Sequence, residues 1–216
     1  MSGSMERKQQ QLESVLAQAP VVAVVVIDEA KDAVPLARAL VAGGIKAIEI
    51  TLRTPAALDA IRAISAEVEG AIAGAGTLLT PADFSAAERA GARFAVSPGS
   101  TPGLLTAADN SALPYLPGAA TATEAMVFLE RGYRLQKFFP ASYAGGVDLL
   151  RALAAPLPGI RFCPTGGISA ATAPQWLALP NVVCVGGSWL STAALVRHAQ
   201  WSEIEKLARE AAALRA

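Results

Sequence analysis

One histidine and two cysteines in 216 residues leave little from which to build a metal centre. Zinc and other transition-metal sites draw on several His or Cys ligands at matched spacings, and this chain supplies no such set. His198 falls in a late helical segment and reads as a surface residue, so there is no Ser/His/Asp arrangement either. Cys163 and Cys184 sit inside apolar runs and read as buried core residues. Two lone thiols without a secretory signal suggest a reducing, cytoplasmic setting. Eighteen basic and eighteen acidic residues cancel, and no basic cluster exceeds a pair. That argues against nucleic acid as the main partner but leaves room for a local anion site. No apolar run approaches the roughly 18 residues needed to span a membrane. The run at 21–27 is far too short and is bounded by Asp28 and Glu29. A G-x-G-x-x-G turn after that run is also missing, which counts against a dinucleotide-binding sheet. Residues 1–4 read as a vector-derived leader ahead of a native Met5, so the folded domain is expected over 5–216.

What is present is core-forming material. Hydrophobic residues make up 53% and charged residues 17%, a profile that suits one domain with a large core. Eight short runs, many β-branched, occur at 21–27, 47–51, 71–74, 93–97, 114–116, 135–139, 160–163 and 182–185. Between them lie segments of helical period, as where Val34, Ala37, Leu40 and Val41 share one face. Eight strand–helix units predict an α/β fold, a closed (β/α)8 TIM barrel in preference to a doubly wound open sheet. Residues 6–18 read as an extra N-terminal helix across the barrel floor, and 201–215 as the closing helix.

In such a barrel, chemistry collects at the carboxyl ends of the strands. The polar residues fall there: Glu49, Thr51 and Arg53 on the second strand, Gly76 and Thr77 on the third, Ser97 and Pro98 on the fourth. The fifth ends in Pro117-Gly118, the sixth carries Lys137, Phe139 and Pro140, and the seventh and eighth end in Thr165-Gly166-Gly167 and Gly186-Gly187-Ser188.

Lys137 is the strongest signal, a lysine within the mostly apolar strand Leu135-Gln136-Lys137-Phe138-Phe139. Period two puts Leu135, Lys137 and Phe139 on one face and Gln136 with Phe138 on the other. Desolvation disfavours an ammonium relative to a neutral amine, and a neutral amine can attack a carbonyl. The bland alternative is a lysine that snorkels from the strand end or pairs with a core carboxylate. Glu49 lies between Ile48 and Ile50, which face the helices, so it points inward with Ala47 and Thr51. A carboxylate beside an inward lysine can shuttle protons; a purely structural ion pair is the competing reading. Arg53 suits bidentate capture of a carboxylate, with Thr77 adding a hydroxyl. The Gly166-Gly167 and Gly186-Gly187-Ser188 segments are expected to expose backbone N–H groups to a phosphate, unless the glycines serve only tight turns.

Glu49-Ile50-Thr51-Leu52-Arg53-Thr54, Gly74-Ala75-Gly76-Thr77 and Phe94-Ala95-Val96-Ser97-Pro98-Gly99 resemble segments of the bacterial 2-keto-3-deoxy-6-phosphogluconate (KDPG) aldolase family. So do Lys137-Phe138-Phe139-Pro140, Arg161-Phe162-Cys163-Pro164-Thr165-Gly166-Gly167-Ile168 and Val185-Gly186-Gly187-Ser188-Trp189. The match runs in order along nearly the whole chain. The resemblance implies a class I aldolase without a cofactor, which cleaves a keto-acid phosphate to pyruvate and glyceraldehyde 3-phosphate. It also implies a homotrimer and some action on 4-hydroxy-2-oxoglutarate. It assigns Lys137 as the Schiff-base former and Glu49 as the acid/base. Arg53 and Thr77 would hold the pyruvyl carboxylate, Pro98 and Phe139 would line the pocket, and Thr165 would contact substrate. Gly166, Gly167, Gly187 and Ser188 would take the phosphate. Ser142 departs from the family pattern, which often has an acidic residue there, and 117–121 departs in having small residues. The shortage of metal ligands counts against metal-dependent aldolases and epimerases. The rivals are a sister aldolase for the 6-phosphogalactonate epimer or an unphosphorylated keto acid, a metal-free sugar-phosphate isomerase with Glu49 as base, and a barrel that only binds or assembles.

Overall fold

The computed structural model describes residues 2–214. A helix, α1 (Ser2–Leu16), precedes alternating strands and helices: β1 (Val21–Val25), α2 (Ala33–Ala42), β2 (Ala47–Thr51), α3 (Ala57–Glu67), β3 (Ile72–Gly76), α4 (Pro81–Arg89), β4 (Ala95–Val96) and α5 (Pro102–Asn110). Then come β5 (Tyr115–Leu116), β6 (Gly118–Ala119), α6 (Ala122–Glu130), β7 (Leu135–Phe138), α7 (Gly146–Ala154), β8 (Arg161–Pro164), α8 (Ala173–Leu177), β9 (Val185–Gly187), α9 (Ala193–Arg197) and α10 (Trp201–Ala212).

The strands form a curled parallel sheet with helices on its outer side. One ladder runs β5-β4-β3-β2-β1-β9 and the other β6-β7-β8, all parallel. Isolated parallel bridges, Phe162 with Val182 and Thr165 with Gly186, join the β8 and β9 segments. The other junction is Pro117, between β5 and β6. Proline has no N–H to give to a ladder, but its carbonyl accepts from Lys137 N at 2.8 Å. The chain thus changes partner at Pro117: β5 pairs β4 while β6 pairs β7.

Alternation along the strands sorts side chains into two buried layers. Ile48 and Ile50 join Leu36, Leu40, Ile61 and Ile64 in the layer beneath the helices. Val22, Ala47, Phe94, Val96, Leu116 and Leu135 point the other way and meet fully buried Leu12 and nearly buried Leu16 of α1. Burying each leucine is worth roughly 1.5–3 kcal/mol, enough to hold a helix with few other partners. Polar ties reinforce it. Gln9 Oε1 accepts from Arg134 N and Leu135 N, at the start of β7, at 2.9 and 3.0 Å. Glu6 pairs with Arg134, and Glu13 with Arg161. α1 therefore covers the amino-terminal end of the inner layer.

Several boundaries differ from expectation. α1 begins at Ser2, so residues 2–4, set aside above as a leader, continue a helix expected at 6–18. α10 ends at Ala212, and residue 215, the expected end of the last helix, lies outside the described residues. The fifth strand does not stop at Pro117-Gly118, since Gly118 pairs with Lys137. β9 starts later than expected, so Gly186 and Gly187 are strand residues paired with Val22 and Ala23 rather than a loop. Glycine has weak strand propensity, and it is pairing with β1, joined for Gly186 by the bridge to Thr165, that makes these two residues a strand. Among the described residues, no helix is long and apolar enough to cross a membrane.

Candidate active site

Every residue of β7 is buried, and alternation sends its side chains to opposite faces. Gln136 turns outward and donates to Ala125 O and Tyr133 O, both at 2.9 Å. Lys137 therefore turns inward. Its Nζ lies 3.1 Å from Glu49 Oε1, with the two side chains 6% and 4% exposed. The Phe139 ring centroid is 5.2 Å from the same nitrogen. A buried pair of this kind gains little net stability, because desolvation offsets the attraction. Its chemical capacity is larger. Proton transfer across 3.1 Å converts ammonium and carboxylate into a nucleophilic amine and a carboxylic acid.

The neighbouring strands shape the space around this pair. The Glu49 side chain leans over Gly76, where a Cβ would come 2.3 Å from Glu49 Oε1. Thr77 follows with φ +62°, a left-handed conformation that costs a β-branched residue about 1–3 kcal/mol. That turn brings Thr77 Oγ1 within 3.4 Å of Arg53 Nε, and Arg53 is exposed. A guanidinium and a hydroxyl thus converge one residue beyond the carboxylate's glycine.

On the other flank, Thr165 is buried, and its N–H donates to Phe138 O at 2.9 Å. Ala141 N donates to Thr165 O at 2.8 Å and Ser142 N to Gly166 O at 3.0 Å. These bonds fasten the loop after β8 to the segment that follows Lys137. Gly166 and Gly167 have φ of +103° and +76°. Only glycine occupies such positions cheaply, so the backbone demand of a tight turn holds for this pair. It does not hold for Gly186, where a Cβ would meet Thr165 Oγ1 at 2.2 Å, or for Gly187, which packs under the Trp189 ring. Ser188 is exposed at the head of the 3-10 turn Trp189–Ser191.

Pro98 is half-buried, and its carbonyl lies over Gly118, the ladder partner of Lys137. Behind it, Tyr115 Oη shares hydrogen bonds with Ser97 Oγ at 2.5 Å and Ser100 Oγ at 2.7 Å. Burial pushes the Tyr115 phenol above its usual range, against the two serine bonds, so it stays protonated. The sequence reading named Ser97 only as a strand end and passed over Ser100 and Tyr115. It likewise assigned no site role to Gly76. The available signal was a glycine in a strand interior, which marks close approach of a neighbour.

Contacts thus link Lys137 to Glu49, Phe139, Gly118 with Pro98, and the Thr165-Gly166-Gly167 loop, while Arg53 and Thr77 form a second pair reached through Gly76. Cys163 and Cys184 are buried, with Sγ atoms 3.5 Å apart, and Cys163 is the ladder partner of Lys137. A separate cavity of about 670 Å3 lies at the opposite end of the strands, lined by Met5, Lys8, Asp109, Leu129, Arg131 and Arg134 among others. It holds no pair comparable to Glu49 and Lys137. Among the described residues, no group of three or more His, Cys, Asp or Glu is placed to hold a metal ion.

Comparison with known proteins places this geometry in a family. The chain is 50% identical over 199 residues to the KHG/KDPG aldolase of Escherichia coli (strain K12), covering 92% of this chain and 93% of the relative. It is 47% identical over 208 residues to the 2-dehydro-3-deoxy-phosphogluconate aldolase of Pseudomonas aeruginosa, covering 96% and 94%. Its fold matches the crystal structure of KDPG aldolase from Legionella pneumophila, which holds pyruvate captured at low pH as a covalent carbinolamine intermediate. The TM-score is 0.90 at 45% identity, over 93% of this chain and 97% of that one. The KDPG and KHG aldolase family model matches residues 12–207, which span Glu49, Lys137 and both glycine pairs, and the chain belongs to that family.

Proposed function

We propose that this chain is a class I aldolase, a lyase that cleaves 2-dehydro-3-deoxy-6-phosphogluconate to pyruvate and D-glyceraldehyde 3-phosphate, with 4-hydroxy-2-oxoglutarate as a second substrate. The observation that carries the proposal is the buried Lys137–Glu49 contact of 3.1 Å.

In this reading, Glu49 takes the ammonium proton and the Lys137 amine attacks the C2 ketone. Glu49 returns a proton to the carbinolamine oxygen, which leaves as water. The protonated imine accepts the electron pair of the C3–C4 bond as it breaks, and the C4 hydroxyl proton passes to the carboxylate. Glyceraldehyde 3-phosphate departs. The enamine is reprotonated at C3, and water hydrolyses the imine to release pyruvate and the free lysine. General acid–base assistance of this kind is worth about 100- to 10,000-fold. Arg53 and Thr77 hold the carboxylate next to the ketone, Pro98 and Phe139 wall the pocket, and Thr165 touches the substrate. Gly166, Gly167, Gly187 and Ser188 receive the phosphate, Gly166 and Gly167 from a turn and Gly187 from the end of a strand.

Family membership favours C–C cleavage over isomerisation with Glu49 as base. The two Phe162 and Thr165 bridges, together with the shared segment at Pro117, support a closed (β/α)8 barrel with α1 as an extra helix on its floor. A cytoplasmic homotrimer is the assembly expected from the family, and light scattering on the purified chain checks it.

The deciding experiment is borohydride reduction in the presence of pyruvate, followed by peptide mass spectrometry. One reduced pyruvyl adduct per chain, mapped to Lys137, is expected. An adduct elsewhere, or none, overturns the proposal. Steady-state rates with the gluconate and galactonate epimers then separate this activity from that of a sister aldolase.

A further inference from the structure

We infer that Gly76 is a positioning residue for the reaction: the missing side chain on β3 is the space in which the Glu49 carboxylate reaches Lys137. The inference rests on the proton-carrying role proposed above for Glu49, and it adds a residue to which that proposal gives no part.

The geometry is specific. Glu49 and Gly74 are register partners across β2 and β3, and Thr51 is the partner of Gly76. Glu49 therefore does not lie level with Gly76 but inclines along the strand direction across it. An added Cβ would stand 2.3 Å from Oε1, 2.5 Å from Cγ and 2.8 Å from Cδ of Glu49. No pair of non-bonded heavy atoms of these types tolerates such separations, so the carboxylate would have to leave. The backbone offers no other reason for glycine here. Gly76 lies outside the positive-φ glycines, so alanine fits its conformation. Its carbonyl accepts from Leu52 N at 2.8 Å, a bond that any residue can make. What alanine alters is room for one side chain, and that side chain is within 3.1 Å of the Lys137 amine.

The same device recurs where β8 meets β9, with Thr165 lying across Gly186. On this inner face, a functional side chain from one strand occupies the volume that a glycine on the adjacent strand leaves empty.

The test uses the full-length enzyme. Gly76→Ala is expected to lower kcat about 100-fold, the scale of a misplacement near 1 Å. The endpoint amount of borohydride-trapped pyruvate on Lys137 should match wild type, because the lysine and the fold are intact, while the rate of trapping falls. A merely structural lesion would reduce the endpoint as well. Glu49→Ala, which removes Cγ, Cδ and the carboxylate together, supplies the second reading. It slows the wild-type background, but once it is present Gly76→Ala has no carboxylate left to displace. The double variant should therefore be at least about tenfold faster than the product of the two single losses. A wild-type rate in Gly76→Ala, or losses that simply multiply, overturns the inference. Should Gly76→Ala be insoluble, recovery of a folded, adduct-forming double variant supports the inference and failure to recover overturns it. Absence of any adduct in the wild-type enzyme would instead sink the aldolase proposal, so the two failures are distinguishable.

Discussion

Glu49 and Lys137 are 88 residues apart in the chain and 3.1 Å apart in the fold, on strands β2 and β7 that share no ladder. Only the curl of the sheet brings them together, and both side chains are almost fully buried. Removing either one leaves an uncompensated buried group, so both substitutions carry a stability cost as well as a catalytic one.

Lys137→Ala should abolish turnover and remove the borohydride adduct. Glu49→Gln keeps the shape and a hydrogen-bond acceptor but cannot accept the lysine proton, so kcat should fall about 100- to 10,000-fold with the adduct still forming slowly. Stopped-flow cleavage rates and trapping time courses check both. A Glu49→Gln enzyme of normal kcat would remove the carboxylate from the mechanism.

Arg53 is exposed and meets Thr77 through one long contact, so its loss should spare the fold. Arg53→Ala is expected to raise the KM for keto acids by roughly 10- to 150-fold, the equivalent of about 1.5–3 kcal/mol for a hydrogen bond to a charged group. The melting temperature should move little. A KM unchanged for pyruvate in the reverse reaction would show that the carboxylate is held elsewhere.

Tyr115→Phe retains the edge contacts of the ring with Phe84 and Tyr133 but deprives Ser97 and Ser100 of their shared phenol. Ser97 is fully buried. It keeps Ser100 Oγ at 3.2 Å, so losing the shorter bond to the phenol should cost about 0.5–1.5 kcal/mol, read as a Tm a few degrees lower. Equal melting curves would mean that Ser100 and the Gly118 N–H satisfy that hydroxyl by themselves.

Glu124 closes a capping box at the start of α6, accepting from Ala120 N and Thr121 N, both at 2.9 Å. Burial pushes its carboxyl up, but the hydrogen bonds from Ala120 and Thr121 outweigh this and hold it below the usual value of 4.5. A depressed carboxyl contributes stability that is present above its unfolded value and lost as pH falls through the folded one. Glu124→Ala should therefore cost roughly 0.5–1 kcal/mol at neutral pH. The gap from wild type should close progressively below about pH 4.5. Thermal melts of both proteins across that range provide the check, and a gap that widens in acid would contradict it.

The inward direction of Lys137 and Glu49 was legible in the sequence, because a charge flanked by apolar residues in a strand has its face set by a period of two. The burial of Cys163 and Cys184 was legible because both lie inside apolar runs. Gly186 and Gly187 were misread as loop because glycine carries almost no local strand signal. Their state depends on Val22 and Ala23, more than 160 residues earlier in the chain. Tyr115, Ser97 and Ser100 were invisible as a group because hydroxyl-bearing residues are common and nothing local aims them at one another.

By itself the sequence determined the alternation of strands and helices, the face on which Lys137 and Glu49 stand, and the inventory of groups, since these follow from backbone geometry and short-range periodicity. Tertiary structure alone decided who meets whom. The register of β2 on β3 slides Glu49 across Gly76, and the partner change at Pro117 sets Lys137 beside Gly118. These are outcomes of hydrogen-bond ladders closing around a shared core, a collective condition that no single segment of the chain contains.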